Sequence, residues 1–148
     1  MSTREELPFA ATITVRDTCL CLHLQRAARA VARRFDAAFR PLDLTNGQFS
    51  LLMSLNRPEP AGIGGVATLL AMDRTTLTAA LKPLERRGLL GVTIDPADRR
   101  GRQLTLTPAG RHLVAEALPI WQREHAAIDR EFGKPGPERL RTDLRALS

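Results

Sequence analysis

The sequence predicts a mainly α-helical fold with one small β-hairpin, and two observations support this prediction. Apolar residues recur every three or four positions over most of the chain, which is the spacing of one face of an α-helix. The exception is a stretch in which two short extended runs, Val92–Ile94 and Gln103–Thr107, flank a polar loop. Leu104 and Leu106 alternate there with polar neighbours, which is typical of a strand with one buried face. We therefore expect helices on both sides of a hairpin.

Length, composition and charge limit the class of protein. With 148 residues, 43% of them hydrophobic, the chain is long enough for one domain with a substantial core and too apolar for a disordered chain. Its formal net charge is +6. Residues 73–111 hold eight basic and four acidic residues, a net charge of +4, so the positive charge is concentrated around the hairpin. Such a concentration is typical of a phosphate-facing surface.

No part of the sequence predicts export or a membrane span. Residues 1–9 are largely polar and charged. The longest uncharged runs, Leu44–Asn56 and Pro60–Met72, are shorter than the roughly 18 apolar residues of a transmembrane helix. Two cysteines do not make a disulfide scaffold in a chain of this size. We therefore expect a cytoplasmic protein.

The first long helix is predicted at residues 18–42. Residues 1–17 have no clear period, and we interpret them as a tail or an arm. The helix is predicted because one apolar stripe follows its length. The stripe comprises Leu20, Leu24, Ala27, Val31, Phe35, Ala38 and Leu42. Arginines occupy the opposite side, which favours a solvated face, and Pro41 marks the end.

Three shorter helices follow. The first of them starts with Thr45 or Asn46 as its cap, and its predicted buried residues are Phe49, Leu52, Met53 and Leu55. The next extends over residues 62–72, with Ile63, Val66, Leu69 and Leu70 as its apolar positions. It forms a helix-turn-helix pair with the helix at 74–87, and the turn falls near Met72 and Asp73.

The helix at residues 74–87 has the composition of a recognition helix. Asp73 is a suitable N-cap and Gly88 a natural stop, while Leu77, Leu81 and Leu84 recur on one inward face. The other face is small or basic, as a helix that enters a DNA major groove roughly 12 Å wide must be. The residues predicted to contact DNA from it are Arg74, Thr75, Thr76, Thr78 and Lys82.

The hairpin has the composition of a wing. Its loop contains Asp98, Arg99, Arg100 and Arg102, which we predict at the DNA. We expect Asp98 to hold the loop by accepting hydrogen bonds and Arg100 to enter the minor groove, which is narrow and electronegative over A·T-rich steps. Arg99 and Arg102 are expected to contact phosphate or to stay solvated.

Two helices complete the chain. The first is predicted at residues 108–132, with Thr107 as its cap, Pro108 at its first position and a kink at Pro119. Trp121 and His125 lie on its apolar face, where core or interface packing is the favoured interpretation. A linker at 133–137 leads to a last helix from about residue 138.

Several of these segments together resemble the multiple antibiotic resistance regulator (MarR) family. The segments are Leu84-Glu85-Arg86-Arg87-Gly88-Leu89, then Asp98-Arg99-Arg100-Gly101, then Leu106-Thr107-Pro108-Ala109-Gly110. They match the family pattern L-E-x-x-G-L, D-x-R-x and L-T-x-x-G in order and without a gap, and the resemblance extends over about residues 19–147. Two positions depart from the pattern, since Ala79 and Val92 stand where a basic residue often occurs.

The resemblance implies a single domain at residues 18–148 that acts as a homodimer. It implies a winged helix at about 44–110, dimerisation helices at about 18–42 and 108–148, a palindromic operator on double-stranded DNA, and a small ligand that releases a repressor. From the apolar pattern we expect eight residues to pack across the two-fold axis. They are Val31, Phe35, Phe39, Leu118, Ile128, Phe132, Leu140 and Leu144.

Cys19, Cys21 and His23 form the one cluster with sensor chemistry. On a helix Cys19 and His23 share a face while Cys21 points nearly the other way, which is poor geometry for a three-ligand metal site within one chain. A thiol near a helix N-terminus tends toward thiolate and hence toward reactivity. Two interpretations stay open: the cysteines pack as small hydrophobes, or they make the protein a thiol-redox or thiophilic-metal sensor.

The sequence contains little that indicates other classes of protein. There is no G-x-S-x-G, no phosphate-binding glycine loop and no H-E-x-x-H, so the sequence predicts no enzyme, no cofactor and no resident metal. An architectural protein that coats DNA without sequence choice is a further alternative. It would be recognised by a specific-to-nonspecific affinity ratio near one.

Overall fold

The computed structural model describes residues 6–148, and its elements follow the predicted order with two additions. The helices are α1 (Phe9–Thr18), α2 (Leu20–Phe39), α3 (Asn46–Ser54), α4 (Ile63–Leu69), α5 (Arg74–Arg86), α6 (Pro108–Arg130) and α7 (Pro137–Leu147), with a 3-10 turn at Arg40–Leu42. The strands are β1 (Ala61–Gly62), β2 (Leu90–Ile94) and β3 (Arg102–Leu106). The mainly helical fold with a hairpin wing is confirmed. Among the described residues, no helix combines the length and apolar composition that crossing a membrane requires.

The chain divides into two compact units, residues 1–34 and 35–148. In the first, α1 is followed by Cys19, which is extended (φ −68°, ψ 109°) and donates its N–H to the Val15 carbonyl. α2 then begins at Leu20. Large apolar side chains of this unit remain exposed in the single chain. They are Leu7, Phe9, Val15, Leu20 and Val31.

The helix α1 was not predicted. Residues 1–17 were interpreted as a tail or an arm without a clear period, and the structure has a helix there at Phe9–Thr18. None of its residues is buried, and a helix without a buried face leaves no apolar stripe by which it could be predicted. Residues 1–5 of the predicted tail lie outside the described residues. The predicted helix at 18–42 correspondingly begins two residues later and ends in the 3-10 turn.

The second unit contains the hydrophobic core and the small sheet. The sheet has the order β1-β3-β2 and is antiparallel throughout. The strand β1 was not predicted, because two residues are too short for an alternating pattern. It exists through long-range pairing, with Ala61 opposite Leu104. Ala61, Leu104 and Leu106 are all buried, so the sheet covers one side of the core.

An aromatic stack connects the end of α2 to α3 and α6. Phe35 and Phe39 lie 5.9 Å apart, Phe39 and Phe49 4.8 Å apart, and Trp121 and His125 4.7 Å apart, measured between ring centroids. Trp121 is partly buried and packs against the core, and His125 contacts its ring. That these two residues serve packing and not ligand contact stays a prediction. The prediction that Phe35 and Phe39 pack across the dimer axis is wrong: they are 8% and 0% exposed within a single chain.

Helix ends in this unit are fixed by the predicted caps. Thr45 forms a capping box with Gln48, and Asp73 and Thr107 cap α5 and α6. Thr107 Oγ1 also donates to the Gly88 carbonyl at 2.5 Å. A Cβ on Gly110 would overlap the Leu89 carbonyl oxygen, so only glycine allows α6 to approach the hairpin this closely. The start of α6 is thus held close to the start of the hairpin.

Candidate nucleic-acid interface

The helix α5 presents one anchored face and one free face. Leu77, Leu81 and Leu84 are 0%, 3% and 0% exposed, as predicted, and fix the helix on the core. At 3.6 residues per turn, the direction opposite these leucines is taken by residues 75, 79, 82 and 86. Each of them is exposed. The free face therefore includes Ala79 and Arg86, which are absent from the predicted DNA-contacting set.

The N-terminus of α5 is held by a double hydrogen bond. The Asp73 carboxylate accepts the Thr76 N–H and the Thr76 hydroxyl, both at 2.8 Å. These hydrogen bonds lower the pKa of Asp73 below its ordinary value. The Thr76 hydroxyl is therefore used as the donor of the cap. Only its methyl group and its oxygen lone pairs remain available for a contact with DNA.

Arg74 lies over the first turn of α4. Its Nη2 atom is 2.8 Å from the position that a Cβ on Gly64 would take, so glycine leaves the room that the guanidinium occupies. Arg74 is thereby turned toward α4, away from the direction opposite the buried leucines. It remains exposed, so its charge lies beside the free face of α5.

The C-terminus of α5 is tied to a distant turn through Arg87. Its guanidinium donates to the carbonyl oxygens of Asp43, at 2.7 Å, and Leu42, at 3.4 Å. Gly88 then adopts φ +70°, the left-handed conformation that the helix end was predicted to need. The sequence predicted no structural contact for Arg87. Its structural role depends on a contact 44 residues away, which local patterns do not encode.

The wing loop is closed by two carboxylates. The Asp98 side chain accepts the Arg100 N–H at 3.0 Å, which is the kind of hydrogen bond expected of it, and its carbonyl accepts the Gly101 N–H at 2.8 Å. Asp95 was not singled out, yet it accepts the Ala97 N–H at 2.9 Å. A Cβ on Gly101 would lie 3.2 Å from the Asp98 carbonyl, so the turn is tight.

Three arginines from two elements meet at one cleft of about 410 Å³. Arg74 comes from the start of α5, and Arg100 and Arg102 come from the wing. Asp95 and Asp98 line the same cleft, and they fix the loop from which the arginines project. Arg102 also donates to the carbonyls of Arg99 and Gly101, at 3.3 and 3.2 Å. The recognition helix and the wing therefore form one continuous basic edge.

The remaining predicted site residues lie in the first unit. Cys19 is half-buried, Cys21 is exposed, and both are free thiols. His23 Nδ1 lies 2.7 Å from the Cys19 carbonyl, and Gln25 Nε2 donates to Cys21 Sγ at 3.2 Å. Within residues 6–148, no group of three or more His, Cys, Asp or Glu side chains is arranged to hold a metal ion.

An apolar cleft of about 310 Å³ lies between α3, the end of α4 and α6. Its lining residues are Phe49, Ser50, Met53, Ser54, Leu69, Leu70, Leu118 and Trp121. Leu69, one of the apolar positions of α4, is 70% exposed at the edge of the cleft, and Leu118 is 37% exposed. The cleft thus offers apolar surface with two hydroxyl groups.

A helix-turn-helix pair followed by a hairpin with a basic loop defines a winged helix-turn-helix protein. Comparisons with known proteins assign the chain further. The model of the MarR family matches residues 44–101. The chain is similar to the transcriptional regulator MosR of M. tuberculosis, solved in complex with DNA, at 33% identity and a TM-score of 0.80, covering 87% of this chain and 92% of that one.

Two further relatives are similar over different lengths. The transcriptional repressor CouR, solved with a 23-mer DNA duplex, is 30% identical with a TM-score of 0.79, covering 97% of this chain and 99% of that one. The transcriptional activatory protein BadR of Rhodopseudomonas palustris is 33% identical over 97 residues. That match covers 64% of this chain and 55% of BadR, so the chain spans little more than half of this curated relative. The chain belongs to the MarR family.

Proposed function

We propose that the protein is a transcriptional regulator that binds a specific, palindromic operator on double-stranded DNA as a homodimer. The observation that carries this proposal is the single basic edge formed by the recognition helix and the wing. Arg74, Arg100 and Arg102 line one cleft there, and the free face of α5 begins beside it. The relatives MosR and CouR, which were solved with DNA, support the same assignment.

The recognition helix suits a major groove in size and in composition. Its 13 residues extend about 20 Å at 1.5 Å per residue. Its free face carries small side chains in the first two turns and Lys82 and Arg86 in the last two. Small residues allow close approach of the helix to base edges, and the basic residues reach phosphates as the groove curves away.

The wing suits the adjacent minor groove. Arg100 follows directly on the main-chain turn held by Asp98, so its side chain starts from a fixed point. An arginine sheds water more easily than a lysine and is attracted to the narrow groove of A·T-rich steps. The wing then adds affinity and an A·T preference at the flanks, whereas the helix contacts the centre of each half-site.

Exposed apolar side chains favour a homodimer. In the second unit they include Leu118, Phe132, Leu140, Leu144 and Leu147, which are 37–61% exposed. Arg141 of α7 donates to Asp129 of α6 at 2.8 Å, which connects the two helices, and it also donates to Glu138 within α7 at 3.0 Å. The leucines of α7 therefore stand in defined positions, and a second copy would remove them from water.

Two-fold symmetry links the dimer to the operator. Two recognition helices related by a dyad meet two half-sites in inverted order, about one helical turn apart. The operator is then a palindrome, and binding over a promoter makes the protein a repressor. The apolar cleft beside Leu69 and Trp121 is the proposed site for a small apolar ligand that alters the separation of the two helices and releases the DNA.

Selection of bound sequences from random duplex DNA tests the proposal. We expect the selected sequences to share an inverted repeat with half-site centres about 10 base pairs apart. Sedimentation at micromolar protein should show a dimer, and removal of residues 138–148 should weaken both the dimer and operator binding. Selected pools without a common inverted repeat, or a stable monomer that binds tightly, would contradict the proposal.

A further inference from the structure

The centre of the free face of α5 carries methyl groups and few hydrogen-bonding groups. Thr75 and Ala79 lie four residues apart in the first two turns and point away from the buried leucines. In docked helices of this type, the N-terminal residues reach the base edges. The groups nearest the bases are therefore the γ-methyl and hydroxyl of Thr75 and the β-methyl of Ala79.

Two other polar side chains of the first two turns contact the protein, while Thr78 is exposed at the edge of the free face. The Arg74 guanidinium lies over Gly64. The Thr76 hydroxyl donates to the Asp73 carboxylate at 2.8 Å. These two contacts turn the guanidinium of Arg74 and the hydroxyl of Thr76 toward the protein.

The composition of α5 excludes several kinds of direct readout. Bidentate recognition of adenine uses Asn or Gln, and α5 contains neither. Bidentate recognition of guanine uses Arg or Lys, and the centre of the face in the first two turns holds neither. The base-edge group that matches an alanine or a threonine methyl is the C5-methyl of thymine.

We propose that Thr75 and Ala79 are specificity-determining residues that select thymine in each half-site through its C5-methyl group. The inference rests on the proposed function, because it requires α5 to lie in the major groove. Each residue packs its methyl against the methyl of one thymine. The contact distinguishes T·A from A·T as well as from both G·C orientations, since only one strand presents the methyl at a given position.

Uracil substitution tests this contact without altering any hydrogen bond of the base pair. In an operator selected by the parent protein, each thymine of a half-site is replaced in turn by deoxyuridine. We expect affinity to fall about fourfold at two positions per half-site, the value for exposing one methyl-sized apolar group, and to stay unchanged elsewhere. Placing 5-methylcytosine instead of cytosine at those positions should recover part of the affinity that a T·A to C·G change removes.

Protein variants assign each methyl to its residue. Thr75→Ser removes the methyl and Thr75→Val removes the hydroxyl. Only Thr75→Ser should therefore lower the affinity for the operator that contains thymine. Thr75→Ser and Ala79→Gly should each cancel the uracil effect at one position and leave the other intact. Ala80→Gly is the matched control for reduced helix propensity, because Ala80 lies half-buried on the other side of α5.

The outcomes separate this inference from the proposed function. A specific inverted repeat with two uracil-sensitive positions that follow Thr75 and Ala79 supports both. A specific inverted repeat that is insensitive to uracil at every thymine leaves the regulator intact and overturns the methyl contact. Equal loss of affinity for Thr75→Ser and Thr75→Val would assign the role to the hydroxyl and also overturn it. Absence of any specific operator overturns both.

Discussion

The recognition helix and the wing meet at the same cleft but are fixed by different forces. The helix is anchored by Leu77, Leu81 and Leu84, which are almost completely buried. The wing loop is exposed and is held by main-chain N–H groups that donate to the carboxylates of Asp95 and Asp98. A buried anchor fixes the position of the helix against the whole core, whereas a local bond fixes only the shape of one loop. The proposal that the helix selects the central bases and the wing mainly adds electrostatic affinity is consistent with this difference.

Removal of a buried leucine from α5 should have the largest effect. Leu84→Ala leaves a cavity at a site that is 0% exposed, and we expect it to lower the free energy of unfolding by about 2–5 kcal/mol. Urea denaturation followed by circular dichroism measures this. The matched control in the wing is Ile94→Ala, which should change stability by less than about 0.5 kcal/mol because Ile94 is 58% exposed. Equal losses for the two variants would remove the contrast between the regions.

Arg100→Ala should separate binding from stability. We expect it to cost about 1–3 kcal/mol of operator binding per half-site, to flatten the A·T preference at the flanks and to leave unfolding unchanged. Arg102→Ala is the control: it should weaken all sequences alike and lower the salt slope by about one unit for each phosphate that the side chain neutralises in the parent. Titrations with flank-substituted operators measure both. Parental affinity and flank preference in Arg100→Ala would show that the wing does not bind in this way.

Asp98→Ala tests whether the loop shape matters more than its charge. The change removes a negative charge that repels the DNA phosphates, and this loss of repulsion alone should tighten binding. It also removes the acceptor for the Arg100 N–H, so we expect weaker binding, by about 0.5–1.5 kcal/mol. Asp98→Asn retains an acceptor oxygen and should bind at least as tightly as the parent. Tighter binding by Asp98→Ala would mean that the carboxylate does not position Arg100.

The sequence could predict the features that depend on neighbouring residues but not those that depend on residues far apart in the chain. The helix α5, its caps and the hairpin were predictable, because each follows from a pattern within a few residues of Asp73, Gly88 or Leu104. The strand β1 and the contact of Arg87 with the Asp43 carbonyl were not, because both partners are far apart in sequence.

The aromatic residues of α2 show a second limit of sequence patterns. Phe35 and Phe39 carry the periodicity of a packed face, but the pattern does not say whether the packing partner is the same chain or a second copy. The structure places both in the core of the chain itself. The helix α1 shows the opposite case, in which a helix with no buried residue leaves no pattern to find.

The smallest effect is expected at the cysteines. If Cys19 and Cys21 only fill space, replacing both with serine should leave operator affinity unchanged, and neither the parent nor the variant should respond to peroxide or thiophilic metals. Electrophoretic mobility shifts with and without oxidant measure this. Release of DNA by the oxidised parent, together with an insensitive double variant, would assign a sensor role to these thiols.

The ratio of specific to non-specific affinity tests the central claim most directly. Affinities for the selected operator and for a scrambled duplex of equal length should be measured at one salt concentration, about 0.15 M, which is physiological ionic strength. If the helix selects bases and the wing adds affinity for the DNA backbone and flanks, the operator should be bound about 10³ times more tightly than the scrambled duplex, or more. A ratio near one would contradict the account, and would make the basic edge of α5 and the wing a surface that coats DNA without choosing its sequence.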